Sequence, residues 1–133
     1  MVDNLTRVSR SKVMSSIPGR DTTPELIIRR HLWAQGKRYR KHDKSVPGTP
    51  DISSNGKKLA IFIDGCFWHG CHRCYKEPMS NVSFWRQKLE YNKKRRKKVA
   101  RLLRAKGWTL VQYWEHEVLS RPQLVAGEIA RLM

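Results

Sequence analysis

All three cysteines of the 133-residue chain lie within one short stretch, Cys66–Cys74. Their spacing, C-x4-C-x2-C, lets three thiolates converge on one tetrahedral metal ion, with a fourth ligand from elsewhere in the chain. Thiolate ligands favour zinc. An odd number of clustered cysteines in a reducing compartment indicates a metal site rather than disulfide bonds. The alternative is three buried thiols without a metal.

Three histidines are candidates for the fourth zinc ligand: His69, His72 and His116. His72 follows Cys71 directly, so joint ligation by these two residues is awkward. His116 comes after a predicted strand that can run back beside the strand preceding the cysteines, and we favour it as the ligand. His69 is then left for chemistry, because an imidazole that is neutral near pH 7 can take a proton from an attacking water. The alternative for His69 is a structural role.

A β-hairpin is predicted over residues 51–64. The Asn55–Gly56 pair is typical of a two-residue type I′ turn, and such a turn places Asp51 opposite Ala60. Asp64 then lies on the same face but four residues farther along the strand, roughly 13 Å from that contact. In this register Asp51 and Asp64 cannot share one ion unless the strand bulges or bends.

Asp51 is the predicted ligand of a catalytic divalent cation. An acid at the start of a hairpin strand can hold magnesium against a phosphate, with the backbone carbonyl of Phe62 or Ile63, waters and the phosphate completing the shell. The alternative is a turn residue at the start of a strand, since a Pro-Asp pair occurs in many sequences without a metal.

Several other side chains could act on a substrate. Phe67 and Trp68 are bulky aromatic residues in a loop between glycines, where core packing does not need them. Apolar wedges pushed between base pairs unstack and kink DNA, at a cost that is lower at a mismatch. Trp85 can join this wedge; the alternative is that the aromatic residues cover the zinc loop. Glu25 follows Thr22 by three residues, which indicates a capping box, but an acid at a helix start can also point into a neighbouring site.

The charge of the chain favours a polyanionic partner. The 28 Lys and Arg against 11 Asp and Glu give a net charge of +17, and nucleic acid fits this charge better than a membrane does. No apolar run approaches the roughly 20 residues of a transmembrane helix, so an intracellular protein without a membrane partner is expected. The basic run Lys93–Lys98 lies in a predicted helix, where such runs usually form a solvated face.

Periodicity predicts a mixed α/β fold in one domain, residues 21–133, after a basic arm, residues 1–20. The predicted order is a helix over 22–36, an edge strand over 37–42, the hairpin and cysteine loop, a helix from 81 or 83 to about 106, a strand over 108–114, and a helix from 120. The helical return from the hairpin to the last strand favours parallel pairing. The apolar helix positions are Leu26, Ile27, Ile28, Leu32, Trp33, Trp85, Leu89, Val99, Leu102, Leu103, Leu124, Val125, Ile129 and Leu132.

A set of motifs in fixed order spans nearly the whole chain. It comprises Arg10–Lys12 with Met14, Arg20–Thr22, Glu25, Asp51 after a Pro-Gly-x-Pro turn, Phe62–Cys71 with its Gly-Cys-Phe-Trp-His block, Asn81–Trp85, Gly107–Trp108 and Trp114–His116. These motifs resemble the very-short-patch repair (Vsr-type) DNA mismatch endonucleases. The Gly-Cys-Phe-Trp-His block is highly specific for that family.

The resemblance implies a restriction-endonuclease-like fold, with a mixed sheet flanked by helices and a structural zinc loop. It also implies Mg²⁺-dependent nicking of DNA on the 5′ side of the thymine in a T·G mismatch. The matched residues are Asp51 for magnesium, His69 for catalysis, Glu25 as an acid associated with the site, Cys66, Cys71, Cys74 and His116 for zinc, and Phe67, Trp68 and Trp85 for the wedge. Some members have histidine where this chain has Asp64, which therefore has three open roles at the site: binding metal through a bent strand, orienting water, or orienting His69.

The expected partners are double-stranded DNA with a T·G mismatch and mismatch-repair proteins. We expect a monomer in the bacterial cytoplasm, associated with the nucleoid. Two alternatives stay open: a non-catalytic, zinc-stabilised module that binds distorted duplex, and a restriction-type nuclease without mismatch specificity.

Overall fold

The computed structural model describes residues 21–74 and 76–133, without the side chains of Phe67 and Trp68. The basic arm and the wedge side chains of Phe67 and Trp68 therefore lie outside the described residues. The elements in chain order are α1 (Thr23–Ala34), β1 (Arg40–Lys41), β2 (Ile52–Ser54), β3 (Leu59–Asp64), α2 (Cys66–His69), α3 (Val82–Ala105), β4 (Thr109–Trp114), α4 (Glu115–Ser120) and α5 (Pro122–Leu132). This order confirms the predicted mixed α/β fold.

The strands form one mixed sheet in the order β1-β2-β3-β4. The pairs β1–β2 and β2–β3 are antiparallel, whereas β3 and β4 are parallel. Helix α3 makes the crossover between the parallel strands, as predicted. The edge strand expected over 37–42 is confirmed as the two residues of β1. Within the described ranges, no helix is both long and apolar enough to cross a membrane.

The β2–β3 hairpin is confirmed, but the predicted register is wrong. Ser53 pairs with Ala60 and Ser54 with Leu59, so four residues connect the strands. Lys58 adopts a left-handed conformation with φ +49°, and its N–H donates to the Asn55 carbonyl at 3.3 Å. This longer turn replaces the two-residue turn that the Asn-Gly pair favours.

The observed register moves two acids together. Continuing the pairing by one residue places Asp51 beside Phe62, on the same sheet face as Asp64. Two residues along a strand span about 7 Å, instead of the longer separation that the predicted register required. Asp51 and Asp64 therefore lie closer together along the hairpin than the predicted register allowed.

β3 is buried along its whole length and separates two apolar layers. On one face, Ile61 and its neighbours pack against α1, α4 and α5; on the other, Phe62 packs against α3. Side chains alternate along a strand, so Asp64 lies on the same face as Phe62 and is directed toward α3.

Several residues predicted to face the core are exposed, because only a narrow line of each helix reaches the small sheet. They are Leu26, Trp33, Leu102, Leu124 and Leu132.

The start of α1 holds Glu25 in place, but the predicted capping box of Thr22 and Glu25 is wrong. Thr22 makes no side-chain cap hydrogen bond. Instead, Glu25 Oε2 accepts the backbone N–H of Asp21 at 2.9 Å, because Asp21 is in a left-handed conformation with φ +55°. Glu25 is only 2% exposed, so its cap and its burial fix it at the edge of the sheet.

Candidate active site and metal centre

Four side chains form the predicted metal centre. His116 Nδ1 lies 3.3 Å from Cys66 Sγ, 3.6 Å from Cys71 Sγ and 3.3 Å from Cys74 Sγ. A tetrahedral zinc with Zn–S bonds of about 2.3 Å and a Zn–N bond of about 2.1 Å needs sulfur-to-nitrogen distances near 3.5 Å. The three thiols and one imidazole therefore fit zinc in both chemistry and spacing. Of the three histidines considered, His116 is the one that completes this cluster in the described part of the chain.

Parallel pairing explains why these distant residues meet. Asp64 pairs with Trp114 at the ends of β3 and β4, so the residues that follow each strand end emerge side by side. Cys66 and His116 each come two positions later. The Cys66 N–H also donates to Glu115 Oε1 at 3.1 Å, which ties the first turn of α4 to the cysteine loop.

Gly70 closes the cysteine loop against α3. It ends α2 in a left-handed conformation with φ +67°. A Cβ atom at this position would lie 2.6 Å from Leu89 Cδ1 and 3.2 Å from Lys93 Cε. A glycine is therefore required both by the backbone conformation and by the close approach of the helix.

Gly70→Ala is expected to lower the free energy of unfolding by about 2 kcal/mol, since a left-handed alanine alone costs roughly 1–2 kcal/mol and Leu89 must also move. Denaturant unfolding measures this change. Gly56→Ala is the matched control, because no atom lies within 4 Å of a Cβ atom there. Equal unfolding midpoints for Gly70→Ala and wild type would contradict the packing of this loop on α3.

A cavity of about 480 Å³ lies beside the metal centre. Glu25, Asp51, Asp64 and His69, the four residues predicted to act in catalysis, all line it. One face of α3 forms the opposite wall with a set of polar and basic side chains: Lys88, Asn92, Arg95 and Arg96. The structure thus brings acids, an imidazole and cations to one cavity.

Asp51 is held at the centre of the acidic side of this cavity. Its Oδ2 accepts the backbone N–H of Ile63 at 2.7 Å. Burial, together with the charge of Glu25, raises the pKa of Asp51 to about 7, although the Ile63 hydrogen bond opposes this change. Burial also raises the pKa of Glu25, and a hydrogen bond links the two carboxyl groups. The pair therefore retains a proton near neutral pH, and a bound cation would relieve the repulsion that causes this.

His42 is a member of the acidic side that the sequence did not indicate. Its Nε2 lies 3.2 Å from Glu25 Oε2 and 3.6 Å from Asp21 Oδ1, and its Nδ1 lies 3.9 Å from Asp51 Oδ1. A left-handed backbone conformation, φ +50°, directs the ring across the sheet edge. Arg29 Nη2 lies 2.7 Å from Asp21 Oδ1, so a guanidinium already balances the charge of Asp21, and we assign no ion to Asp21 and His42.

Asp64 is bonded on the opposite side of the cavity. Arg96 donates to it through Nη2 at 2.6 Å and Nε at 3.2 Å, and Gln112 Nε2 donates at 3.3 Å. His69 Nε2 lies 3.6 Å from Asp64 Oδ1. Burial lowers the pKa of His69 below its usual value even though Asp64 opposes this effect, which favours a neutral imidazole.

The sequence suggested that the basic run Lys93–Lys98 forms a solvated helix face. In the structure the run is not uniformly solvated. Arg96 is half-buried, whereas the other five residues are exposed. Helix phase could have revealed this, because Lys88, Asn92 and Arg95 lie on the same face as the buried Val99. Gln112 and Glu115 were also missed as site residues, and parallel pairing of β3 with β4 is the signal that would have placed them beside Asp64 and Cys66.

Trp85, which is predicted to join the wedge, is buried in this structure. It is 8% exposed and packs edge-to-face on Phe84, with ring centroids 5.0 Å apart. Its role in the wedge stays a prediction. Phe84, beside it, is the exposed ring.

The chain is similar to known DNA endonucleases along most of its length. The family described as DNA mismatch endonuclease Vsr matches residues 2–76. The type II nicking enzyme V.HpaIIP of Haemophilus parainfluenzae is 44% identical over 134 residues, covering 98% of this chain and 94% of that protein. The type II nicking enzyme V.NmeAIP of Neisseria meningitidis is 41% identical, covering 91% and 87%. The DNA mismatch endonuclease Vsr of Escherichia coli K12 is 36% identical, covering 93% and 80%. The chain therefore belongs to the Vsr family of DNA mismatch endonucleases, enzymes that hydrolyse phosphodiester bonds in DNA.

Proposed function

We propose that this endonuclease nicks one strand of duplex DNA on the 5′ side of the thymine in a T·G mismatch, and that the reaction requires Mg²⁺. The observation that carries the proposal is the convergence of Glu25, Asp51, Asp64 and His69 on one cavity beside the metal centre. Because the family is one of endonucleases, the alternative of a non-catalytic binding module is set aside.

Asp51 and Glu25 supply the acidic side on which a magnesium ion would bind. Paired acids with raised pKa values attract a cation, which replaces their shared proton. The N–H of Ile63 faces Asp51, and in a strand the carbonyl of the same residue faces the same neighbour, which supports Ile63 as the carbonyl ligand. When bound, the ion supplies positive charge to the phosphate oxygens.

His69 is suited to accept a proton from the attacking water. Its lowered pKa keeps the imidazole neutral, and the nearby Asp64 carboxylate stabilises the imidazolium after transfer. Lys88 and Arg95, on the α3 wall of the cavity, are placed to hold the DNA backbone.

The zinc centre has a structural role in this proposal. Three thiolates and an imidazole occupy all four tetrahedral positions, so no position is open to substrate. Zinc would fix the loop that carries His69 between Cys66 and Cys71, together with the wedge residues Phe67 and Trp68. The monomeric state and the mismatch-repair partners stay predictions.

A second candidate function is sequence-specific nicking that does not require a mismatch. Several relatives carry the name type II nicking enzyme, and this favours testing the restriction-type alternative directly.

A panel of duplexes separates the two functions. Duplexes that contain T·G, T·A or C·G at one position are incubated with the purified protein and Mg²⁺ in several flanking sequences. Since opening the stack at a mismatch is cheaper by a few kcal/mol, we expect nicking of T·G to exceed that of matched DNA by about 100-fold. Equal rates on matched and mismatched duplexes in one sequence context would support the second function instead.

A further inference from the structure

Arg96 is the one residue of the basic run that turns inward, and it binds Asp64 with the geometry of a fork. Its side chain is 24% exposed, and that of Asp64 is 5% exposed. Nη2 and Nε each donate to a different carboxylate oxygen. The guanidinium carbon also lies 3.9 Å from the centroid of the Phe62 ring. Phe62 belongs to the buried core with Val99 and Leu103, so a rigid surface fixes the plane of the guanidinium.

Both carboxylate oxygens of Asp64 already contact protein side chains. Oδ1 faces Arg96 and His69, and Oδ2 faces Arg96 and Gln112. A carboxylate in a bidentate pair with arginine has little capacity left to coordinate a cation. Of the three roles left open for Asp64 by the sequence, this arrangement favours the orientation of His69.

We propose that Arg96 is a positioning residue for strand cleavage: it holds Asp64 as the partner of His69 and keeps Asp64 away from the cation site at Asp51. The proposal rests on the proposed function of the cavity. Without Arg96, a buried carboxylate loses its counter-charge. Asp64 is then free to turn toward the cation at Asp51, about two strand residues away, and His69 loses its partner.

Arginine is required for this role because of its planar fork. A lysine at the same position keeps the positive charge but offers a single flexible ammonium group. It cannot bind both oxygens of Asp64 and stack on Phe62 at the same time. Arg96→Lys should therefore recover only part of what Arg96→Gln loses.

Single-turnover nicking of a T·G duplex tests the proposal in two backgrounds. We expect Arg96→Gln to slow nicking about 100-fold in the wild-type background, the scale of proton-transfer catalysis, and less than about 3-fold in the His69→Ala background, because residues that act as a unit are not additive. Arg96→Lys should fall between wild type and Arg96→Gln. Arg101→Gln, an equal charge loss at an exposed position of the same helix, should change the rate less than about 2-fold.

The same comparison in two backgrounds also tests a competing role for Arg96, direct action on the DNA. If Arg96 acted directly on the DNA phosphate, Arg96→Gln would slow nicking equally in both backgrounds and weaken DNA binding in EDTA. That result would overturn the proposal.

The double variant Asp64→Asn/Arg96→Gln replaces the ion pair with a neutral amide pair, so it guards against loss of folding. We expect it to keep the wild-type circular dichroism spectrum and to nick as slowly as Arg96→Gln. Nicking at the wild-type rate would also overturn the proposal.

Cation binding without DNA provides a readout that does not depend on activity. In titration calorimetry with Mg²⁺ or Mn²⁺, Asp64→Asn should leave the cation Kd within about 2-fold, whereas Asp51→Asn should weaken it more than 10-fold. Equal weakening by the two variants would make Asp64 a ligand and overturn the proposal. A wild-type protein that does not nick any T·G duplex would contradict the proposed function instead, and the calorimetric comparison would still test the Asp64–Arg96 pair.

Discussion

Asp51→Asn is expected to abolish nicking while making the metal-free protein more stable above neutral pH. The amide removes the charge that holds the cation, and a loss of about 4 kcal/mol of transition-state stabilisation corresponds to a 1,000-fold slower reaction. The same change removes the repulsion between Asp51 and Glu25 in the unliganded cavity. Activity and stability therefore change in opposite directions.

The sign of the stability effect follows from the pKa of Asp51, which burial raises from 3.8 to about 7. The folded protein keeps a proton that the unfolded chain releases between these two pH values. Asp51 therefore costs no stability near pH 4, and its cost grows as the pH rises to 7. In EDTA, we expect Asp51→Asn to be about 2 kcal/mol more stable than wild type at pH 8, with no gain near pH 4.

Denaturant unfolding at these two pH values, with Asp43→Asn as the control, tests this prediction. Hydrogen bonds from Ser45 lower the pKa of Asp43, so the same isosteric change should give no gain in stability at pH 8. An Asp51→Asn variant that nicks DNA at the wild-type rate, or that is less stable than wild type at pH 8, would contradict the assignment of Asp51.

Loss of zinc is expected to have the second large effect. His116→Ala should reduce the zinc content from one ion per chain and lower the free energy of unfolding by at least about 3 kcal/mol, because binding of structural zinc contributes directly to folding. The damage should reach the cavity, since His69 lies between Cys66 and Cys71. Nicking should therefore fall with the zinc content.

His72→Ala is the matched control, because His72 is an exposed histidine of the same loop outside the ligand cluster. Zinc content, measured by atomic emission, and the unfolding midpoint should match those of wild type. Retention of zinc by His116→Ala, or its loss from His72→Ala, would show that the ligand set is wrong.

Local chemistry made the metal centre predictable from the sequence. The three cysteines are close in the chain, and His116 could be chosen because a helical crossover implies parallel strands whose ends lie together. The hairpin register could not be read in the same way. The Asn-Gly pair favours a two-residue turn, but the left-handed Lys58 extends the turn so that β2 presents Ile52 to the core and Asp51 to the cavity.

The other members of the site could be recognised only from helix phase and long-range packing, and not from composition. Within a run of six cations, composition cannot show which residue faces inward; the burial of Val99 and Leu103 sets that phase and selects Arg96. His42 gave no signal, because its position depends on an unusual backbone angle at the end of an edge strand.

The position of the nick tests the central claim most directly. A T·G duplex carrying a different label on each strand is incubated with wild-type protein or Asp51→Asn, in Mg²⁺ or in EDTA. We predict a single cut in the thymine strand, on the 5′ side of the mismatched thymine, made only by wild type and only in Mg²⁺. Cleavage of the guanine strand, or the same cut by Asp51→Asn, would contradict the account.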